Sequence, residues 1–140
     1  MSKTVVCPVQ VAFGDCDPAG IVFFPNFLKW MDTSSHHFFL ACGLPPLRDW
    51  ATTLGVVGHP VLEVTTRFHR PATYGDNLQV HTTVEEWREK VFVHNHTIQR
   101  DGVVLCEGRE TRAFVTPHPD DPSRLKSVSI PDQVLARCRV

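Results

Sequence analysis

One long amphipathic helix, followed by a run of alternating strands, is the feature that most limits how this chain can fold. Small or apolar residues recur every three to four positions along the helix, as one buried face requires. They are Phe27, Met31, Ser34, Ser35, Phe38 and Cys42. Pro25 suits the first turn of a helix, and Gly43 followed by Pro45-Pro46 ends it. The pattern predicts a helix over Pro25–Cys42.

Four segments after this helix alternate apolar and polar residues, as half-buried strands do. They are Val61–Arg70, Asn77–Trp87, Val91–Arg100 and Val103–Thr116. Weaker patterns predict a first strand, a short helix, a last strand and a C-terminal helix. These elements are Thr4–Phe13, Leu47–Leu54, Ser127–Ile130 and Asp132–Arg137.

The order of these elements predicts an α+β architecture, in which one helix lies on a curved antiparallel sheet of five or six strands. No internal repeat or long linker divides the sequence, so a single domain over residues 1–140 is expected. The second face and the edges of such a sheet remain to be covered. Self-association is therefore expected.

Composition and charge exclude several classes of function. The chain has 140 residues and a net charge of −1, so it lacks the positive field of a nucleic-acid or anionic-membrane binder. The longest uninterrupted apolar run, Phe38–Cys42, is far shorter than the roughly 20 residues of a membrane span. No signal peptide is expected, and the five widely spaced cysteines do not indicate a disulfide framework. A cytoplasmic domain is expected.

The densest set of chemical groups lies between the first strand and the long helix. Asp15 and Asp17 occupy a turn-rich segment directly before the helix. Backbone N–H groups at a helix N-terminus can stabilise an oxyanion, and a nearby carboxylate can act as nucleophile or general base. An oxyanion donor and a nucleophile or general base are the minimum set of groups that acyl transfer requires. Local chemistry alone favours a structural interpretation, in which Asp15 or Asp17 caps the helix or closes an Asx turn.

Two further groups near this segment are interpreted as structural. Cys16 lies next to Asp17, and a Cys–His pair can catalyse acyl transfer, but the sequence assigns no histidine to it. A packed or turn cysteine is therefore expected. His36-His37 lies inside the helix, where at most one ring can share a face with Asp32, and both are interpreted as structural.

A possible metal cluster on the strands is also interpreted as structural. His94 and His96 share one strand face, and His69 and His81 lie on neighbouring strands. No Cys-x-x-Cys motif and no carboxylate four residues on accompany them. Solvated or cross-strand polar histidines are therefore expected, with no metal site.

The segment around Asp17 resembles the active-site signature of the 4-hydroxybenzoyl-CoA thioesterase family. The matching residues are Gln10-Val11, Cys16-Asp17, Gly20-Ile21-Val22, Phe24 and Phe27. The likeness extends to Trp30-Met31-Asp32, Gly43–Pro46, Gly55–Pro60, Glu86-Trp87-Arg88 and Arg124-Leu125-Lys126. Members of this family are hot-dog-fold enzymes, in which a curved antiparallel sheet wraps a long helix. The resemblance implies this fold, and it looks closest to the branch that uses a catalytic aspartate.

The resemblance implies roles for four residues around the reacting group. Asp17 matches the catalytic carboxylate, which attacks the thioester carbonyl or activates water. The backbone N–H of Phe24 matches the oxyanion donor. Asp32 matches a residue that lines the acyl pocket and approaches the ring substituent. His59 stands where close relatives carry a threonine that reaches the substituent from the neighbouring subunit, and an imidazole can also hydrogen-bond a phenol.

The resemblance also implies a basic surface that holds the phosphates of coenzyme A. The matching residues are Arg88, Lys90, Arg124 and Lys126, with Glu89 standing among them where close relatives are basic. The implied enzyme hydrolyses an aromatic acyl-CoA thioester such as 4-hydroxybenzoyl-CoA and needs no cofactor. It is expected to form a homodimer or homotetramer with active sites at the subunit interface.

Two alternative functions stay open at this point. The chain could be a thioesterase that acts on short or medium aliphatic acyl-CoA or on acyl-carrier-protein thioesters. It could also be a non-catalytic acyl-CoA-binding module, in which Asp17 only caps the helix. Release of a free thiol separates an enzyme from a binding module, and a panel of aryl and aliphatic thioesters separates the two enzymes.

Overall fold

A five-stranded antiparallel sheet wraps around one central helix in the structure, a computed structural model that describes residues 3–139. The strands are β1 (Thr4–Gln10), β2 (Val61–Phe68), β3 (Asn77–Trp87), β4 (Val91–Arg100) and β5 (Val103–Ala113), with a small hairpin of β6 (Val115–Pro117) and β7 (Leu125–Ser127). The helices are α1 (Pro25–Ala41), α2 (Trp50–Thr53) and α3 (Asp132–Cys138). The predicted α+β hot-dog architecture is confirmed.

The central helix α1 begins at the predicted Pro25 and ends at Ala41, one residue before the predicted Cys42, which is its C-cap. All six residues of the predicted apolar face are buried. At the C-terminal end, Gly43 adopts a left-handed φ of 91°, which residues with a Cβ rarely do. Its N–H donates to the Leu40 carbonyl at 3.0 Å, and the Leu44 N–H donates to the Phe39 carbonyl at 3.2 Å. These two bonds form a Schellman cap that stops the helix.

The strand order in the sheet is β1-β3-β4-β5-β2. The strands β3, β4 and β5 form a meander, and β3 and β4 have the predicted bounds. The hairpin between β4 and β5 turns at Asp101-Gly102, where both residues have positive φ as a type I′ turn requires. The strand β2 precedes this meander in sequence but pairs with its last strand, so β1 and β2 form the two edges.

Two apolar clusters fill the space between α1 and the sheet. One surrounds the N-terminal half of α1, where Phe27 and Met31 meet Leu78 and Ile98. The other surrounds the C-terminal half and includes Phe38, Phe39, Phe92 and Phe114. Between them the sheet approaches the helix closely at Gly108, where an added Cβ would lie 2.6 Å from Met31 Cε. Glycine is required there because any side chain would push the helix away from the sheet.

The weaker element predictions are right in kind and differ in their bounds. The first strand ends at Gln10, and a 3-10 turn covers Phe13–Asp15. The last strand covers Leu125–Ser127, whereas the segment predicted as a strand, Ser127–Ile130, runs on beyond it. Beyond Ser127 its backbone amides form no strand pairing: the Val128 N–H donates to the Phe114 carbonyl, and the Ile130 N–H donates to the Glu89 carbonyl. None of the helices within residues 3–139 is long and apolar enough to cross a membrane.

Candidate active site

The loop that carries Asp17 folds back on itself immediately before α1. The Asp17 N–H donates to the Ile21 carbonyl, and the Gly20 N–H donates to the Asp17 carbonyl, both at 2.9 Å. The Ala19 N–H donates to Oδ1 of Asp17 at 2.9 Å, which closes an Asx turn. The other carboxylate oxygen, Oδ2, has no hydrogen-bond partner among the described residues. The predicted Asx turn is therefore present, and one oxygen stays available for chemistry.

The first residues of α1 leave one backbone amide without an acceptor. The Phe23 N–H donates to the Asp15 carbonyl and the Asn26 N–H donates to the Phe23 carbonyl, each at 2.9 Å. Pro25 has no N–H. The N–H of Phe24, the N-cap residue, donates to no acceptor in the described part of the chain. Neither Asp15 nor Asp17 caps this helix, so the capping interpretation is wrong.

The geometry places the Asp17 carboxylate and the Phe24 amide at the same end of α1. Cys16 and Val22 form an antiparallel bridge, so the loop between them returns the chain to the helix start. Cys16 packs against the cluster around the N-terminal half of α1 and has no hydrogen bond to a histidine within residues 3–139, as expected. A carboxylate and an unpaired helix N-terminal amide at the same helix end are the two groups that can attack and polarise a carbonyl group.

Asp32 and His59 border a common cavity of about 230 Å³ beside the middle of α1. The other lining residues are His36, Leu47, Gly58, Pro60 and Arg112. Arg112 joins the two predicted residues: Nη2 donates to Asp32 Oδ1 at 2.7 Å, and Nη1 donates to the His59 carbonyl at 2.9 Å. Only one of the two adjacent histidines shares this face with Asp32, as expected, because the His36 ring borders the same cavity and His37 does not line it.

The charges around this cavity are set by burial and by Arg112. His59 is 8% exposed. Burial, followed by the charges of Arg112 and His36, lowers the pKa of His59 to about 3, so its ring is neutral at pH 7. Burial also lowers the pKa of His36. The cavity thus presents neutral imidazoles beside the exposed carboxylate of Asp32. His59 of the same chain already reaches this cavity, whereas the resemblance implied an approach from a neighbouring subunit.

A buried polar network lies behind the cavity, and the sequence did not predict it. Glu110 is its centre and accepts hydrogen bonds from Arg112 Nη2 at 2.7 Å, from Ser35 Oγ at 2.5 Å and from His96 Nε2 at 2.5 Å. Burial alone would raise the pKa of Glu110, but the hydrogen bonds from His96 and Arg112 lower it well below its usual range. Glu110 is therefore a buried carboxylate anion whose charge Arg112 balances.

Of the two expected alternatives for His94 and His96, the solvated one is wrong, because both rings are buried against α1, and the cross-strand polar one is confirmed for His96, which pairs with Thr82 on β3. His96 Nδ1 lies 2.8 Å from Thr82 Oγ1, and His94 Nδ1 lies 2.9 Å from Ser35 Oγ. Burial and the neighbouring His96 lower the pKa of His94 well below its usual value. Strand parity is the signal that could have shown this, since His94 and His96 alternate with the same spacing as buried Phe92 and Ile98.

The side chains of His94, His96 and Glu110 approach one another closely enough to resemble a metal site. The Ser35 hydroxyl occupies their centre: its Oγ lies within 3.1 Å of a polar atom of each. A cation there would displace this hydroxyl and face the Arg112 guanidinium, which donates to the same carboxylate. Ser35 is fully buried and donates to Glu110, so it cannot serve as a nucleophile for an outside substrate. The network therefore fits a structural role.

His69 and His81, the other two histidines considered for a possible cluster, lie apart from this network. His69 lies on the surface, and its Nε2 is 2.7 Å from Glu107 Oε2. His81 is half-buried on β3. The four histidines considered as a possible cluster therefore do not come together in the structure.

The four predicted phosphate-binding residues lie at the opposite end of the molecule from Asp17. They are Arg88 and Lys90, in the turn between β3 and β4, and Arg124 and Lys126, beside and within β7. Phe114 joins the two segments, because its N–H donates to the Lys90 carbonyl and its carbonyl accepts from the Val128 N–H. Phe114 belongs to the cluster around the C-terminal half of α1. The basic residues therefore lie near one end of a helix whose other end carries Phe24.

These basic side chains differ in their freedom to bind an anion. Arg88 forms an exposed ion pair with Glu86 at 3.0 Å. Lys90, Arg124 and Lys126 are exposed and have no ion-pair partner within residues 3–139. Three free cations at one end of the molecule can hold a phosphate group.

Comparison with known proteins identifies the family of this chain. The family model described as "Thioesterase-like superfamily" matches residues 11–138. The chain is 36% identical over 143 residues to 4-hydroxybenzoyl-CoA thioesterase of Pseudomonas sp. strain CBS-3, covering 99% of each protein. The solved structure of 4-hydroxybenzoyl-CoA thioesterase from that strain is similar to this fold with a TM-score of 0.90 and 34% identity, over 96% of this chain and 99% of that one.

A second solved structure shows the same likeness with another aryl-CoA enzyme. A gentisyl-coenzyme A thioesterase is similar with a TM-score of 0.81 and 33% identity, and the match covers 97% of this chain and all of that one. The predicted family and hot-dog fold are thereby confirmed over nearly the whole sequence. The chain therefore belongs to the thioesterase-like superfamily, as a thioester hydrolase of the 4-hydroxybenzoyl-CoA thioesterase family.

Proposed function

We propose that this chain hydrolyses an aromatic acyl-CoA thioester of the 4-hydroxybenzoyl-CoA kind, giving the free aryl acid and coenzyme A. One observation carries the proposal: within residues 3–139, Asp17 keeps a carboxylate oxygen without a partner, and Phe24, at the helix start that follows the Asp17 loop, keeps an N–H without an acceptor. The two similar thioesterases named above act on hydroxybenzoyl and gentisyl thioesters, and both acyl groups are hydroxylated benzene rings.

In the proposed reaction, the thioester carbonyl oxygen lies against the N–H of Phe24 at the positive end of the helix dipole. Asp17 either attacks the carbonyl carbon or removes a proton from an attacking water. Coenzyme A leaves as a thiolate, which is a far better leaving group than an alkoxide. A single carboxylate therefore suffices, without a histidine partner. If Asp17 attacks, water then hydrolyses the resulting anhydride and regenerates the carboxylate.

The spacing along α1 favours an aromatic acyl group of one ring. Asp32 follows Phe24 by eight residues, which is a rise of about 12 Å in an α-helix. This distance accommodates one benzene ring with its carbonyl and hydroxyl groups, and a hydrogen bond of about 3 Å at each end. In this proposal Asp32 accepts a hydrogen bond from the ring substituent, and His59 forms the wall of the cavity that receives it.

The phosphates of coenzyme A are proposed to bind Lys90, Arg124 and Lys126, with Arg88 contributing when its ion pair with Glu86 opens. These side chains are exposed, so phosphate oxygens can reach them without desolvating a buried charge. The distance from Asp17 is compatible with this role, because the long pantetheine arm separates the thioester from the phosphates.

The active form is proposed to be a homodimer or homotetramer with active sites at subunit interfaces. The edge strand β2 exposes Val61, Leu62, Val64 and Phe68. Phe24 lies beside Phe68, with ring centroids 6.0 Å apart, so this apolar edge continues to the candidate site. An exposed hydrophobic patch next to a catalytic group is typical of an interface. We further propose that the enzyme works in the cytoplasm, where acyl-CoA thioesters are available.

The decisive experiment measures thiol release from 4-hydroxybenzoyl-CoA, benzoyl-CoA and hexanoyl-CoA by the wild type and by Asp17→Asn. The variant keeps an oxygen that accepts from Ala19, so the loop should fold normally. We expect it to bind the substrate but to lose activity by about 10²–10⁴-fold, since a general base or nucleophile is removed. Full turnover by Asp17→Asn would exclude the proposed mechanism.

The matched control is Asp15→Asn, two residues earlier in the same loop. The Asp15 side chain accepts from the Ala12 N–H, and its backbone carbonyl accepts from Phe23. Asparagine preserves both bonds, so we expect thiol release at the wild-type rate. Preference for hexanoyl-CoA would favour the aliphatic enzyme, and binding without thiol release in the wild type would favour the non-catalytic module.

A further inference from the structure

The cavity beside Asp32 contains a chain of hydrogen bonds whose direction is fixed at one end. Arg112 Nη1 lies 3.3 Å from His59 Nδ1, and His59 Nε2 lies 3.3 Å from His36 Nδ1. Each neutral imidazole has one nitrogen that donates and one that accepts, and the choice depends on its partners. The guanidinium of Arg112 is always protonated and can only donate.

The fixed direction of Arg112 determines the tautomer of both histidines. His59 Nδ1 must accept from Arg112, so the proton of this neutral ring lies on Nε2. His59 Nε2–H then donates to His36 Nδ1. Because His36 Nδ1 accepts, the proton of the His36 ring lies on Nε2. The opposite assignment would bring an N–H of His59 against an N–H of Arg112, with a hydrogen bond lost at each step.

The packing holds the His36 ring in this orientation. It lies against the His59 ring at 5.5 Å, with an angle of 11° between the two planes, and against Trp50 at 5.4 Å. Its Nε2 has no partner among the described residues and is not among the buried atoms. His36 follows Asp32 by one helical turn on the same face of α1, and both border the cavity.

We propose that His36 is a specificity-determining residue, whose fixed Nε2–H donates to a ring hydroxyl that in turn donates to the carboxylate of Asp32. This inference rests on the proposed function and names the substituent that the site selects. A hydroxyl both donates and accepts, so it satisfies both partners at once. A ring that carries only hydrogen at this position, as in benzoyl-CoA, can bond neither residue. A methoxy group can accept from His36 but has no proton to donate to Asp32.

The main experiment measures kcat/KM for 4-hydroxybenzoyl-CoA and benzoyl-CoA with the wild type, His36→Phe, His36→Gln and His37→Phe. His36→Phe keeps an aromatic ring against Trp50 but removes the donor. We expect the preference for the hydroxylated substrate, which is the ratio of the two kcat/KM values, to fall by about 5- to 10-fold, the effect of one neutral hydrogen bond. His36→Gln supplies an N–H again and should retain most of the preference.

The matched control, His37→Phe, changes the adjacent helix residue, which does not border the cavity. We expect the wild-type preference for the hydroxylated substrate in this variant. Equal preference in His36→Phe and the wild type would overturn the inference, as would a loss of benzoyl-CoA turnover as large as the loss for the hydroxylated substrate.

A second measurement tests the hydrogen-bond direction without turnover. Long-range proton–nitrogen correlation spectra of protein labelled with nitrogen-15 in histidine report which nitrogen of each neutral ring carries the proton. We expect the Nε2–H tautomer for both His36 and His59 at pH 7, and the Nδ1–H tautomer of His36 would overturn the inference. A wild type that releases no thiol from any aryl thioester would contradict the proposed function instead, and the tautomers distinguish this failure from the other.

Discussion

The Asp17 loop and the network around Glu110 place carboxylates in opposite environments. Asp17 lies in a partly exposed loop and accepts one backbone hydrogen bond. Glu110 is 3% exposed and accepts from Ser35, His96 and Arg112. A partly solvated carboxylate with a free oxygen can react, whereas a buried carboxylate that is saturated with donors can only hold its neighbours in place.

The contrast separates a candidate catalytic loop around Asp17 from a structural network around Glu110. The loop contributes little to stability, because few contacts depend on the Asp17 side chain. The network joins β3, β4 and β5 to α1 through Thr82, His96, Glu110 and Ser35. Arg112 extends it to Asp32, so the network also fixes one wall of the proposed acyl site. Substitutions in the Asp17 loop should therefore change the rate of thiol release, and substitutions in the network should change the free energy of unfolding.

The largest expected effect is the loss of stability in Glu110→Gln. This change removes the buried carboxylate partner of Arg112 and leaves only the exposed Asp32 beside it, and breaking a buried pair in this way costs about 3–5 kcal/mol of the free energy of unfolding. Chemical denaturation of the wild type and the variant measures the difference. The control is Glu107→Gln on the same strand, where the carboxylate is exposed and the change should stay below about 0.5 kcal/mol. Equal stability of both variants would contradict a structural role for Glu110.

The next largest effect is the loss of activity in Phe24→Pro. Phe24 has a φ of −54°, which proline adopts, and its N–H makes no hydrogen bond that the fold needs. We expect kcat to fall by about 10²–10³-fold, the effect of one oxyanion donor, while the free energy of unfolding changes little. Phe24→Ala keeps the N–H and serves as the control. Wild-type kcat in Phe24→Pro would show that another donor holds the oxyanion.

A smaller effect is expected from mild acid, through the buried neutral histidines. The pKa of His59 is about 3 in the folded state, compared with about 6.5 in an unfolded chain. Between these values the unfolded state binds a proton that the folded state does not, so stability is full above pH 6.5 and falls as the pH decreases. From pH 7 to pH 5 the loss due to His59 is about 2 kcal/mol.

Denaturation curves at pH 7 and pH 5 measure this dependence. The pKa of Glu110 is lowered, so it is ionised in both states above pH 5 and contributes nothing to the slope there. His59→Gln removes one titrating group and should make stability less sensitive to pH. An unchanged slope in this variant would mean that His59 is charged in the folded protein.

The smallest expected effect concerns the exposed cations at the far end of α1. Lys90→Gln and Lys126→Gln should each raise KM about 2- to 5-fold with kcat unchanged, because an exposed charge pair contributes less than about 1 kcal/mol. Higher salt should reduce the difference from the wild type. Lys29→Gln, which removes an exposed charge from α1, is the control and should leave KM unchanged. Equal KM values in all three variants would place the phosphates elsewhere.

The fold could be predicted from the sequence because its strongest signals are local. The spacing from Phe27 to Cys42 and the Gly43 cap determine α1, and strict alternation gives β3 and β4 their bounds. The location of the candidate site was predictable for the same reason, because Asp17 lies a few residues before the helix whose N-terminal amide is the proposed oxyanion donor. The sequence alone could not decide whether Asp17 closes an Asx turn or caps the helix, because the two differ only in which backbone N–H the carboxylate accepts from.

The buried network could not be predicted because its members are distant in sequence. Ser35 and Glu110 are 75 residues apart and meet through the wrapping of the sheet around α1. The polar character of His94 and His96 favoured an exposed position, although their parity with Phe92 indicated a buried one. Arg112 was missed as well, and with it the connection between Asp32 and His59.

The order of strands in the sheet has a consequence for when the site can form during folding. The strand β2 follows His59 directly and pairs with β5, whereas the meander of β3, β4 and β5 can form from neighbouring segments. Pairing between distant segments is slow, because a long loop must close before any contact forms. We therefore expect the cavity between Asp32 and His59 to close in a late step of refolding, after most of the sheet. Recovery of thiol release should then lag behind recovery of secondary structure when the denatured chain is returned to water.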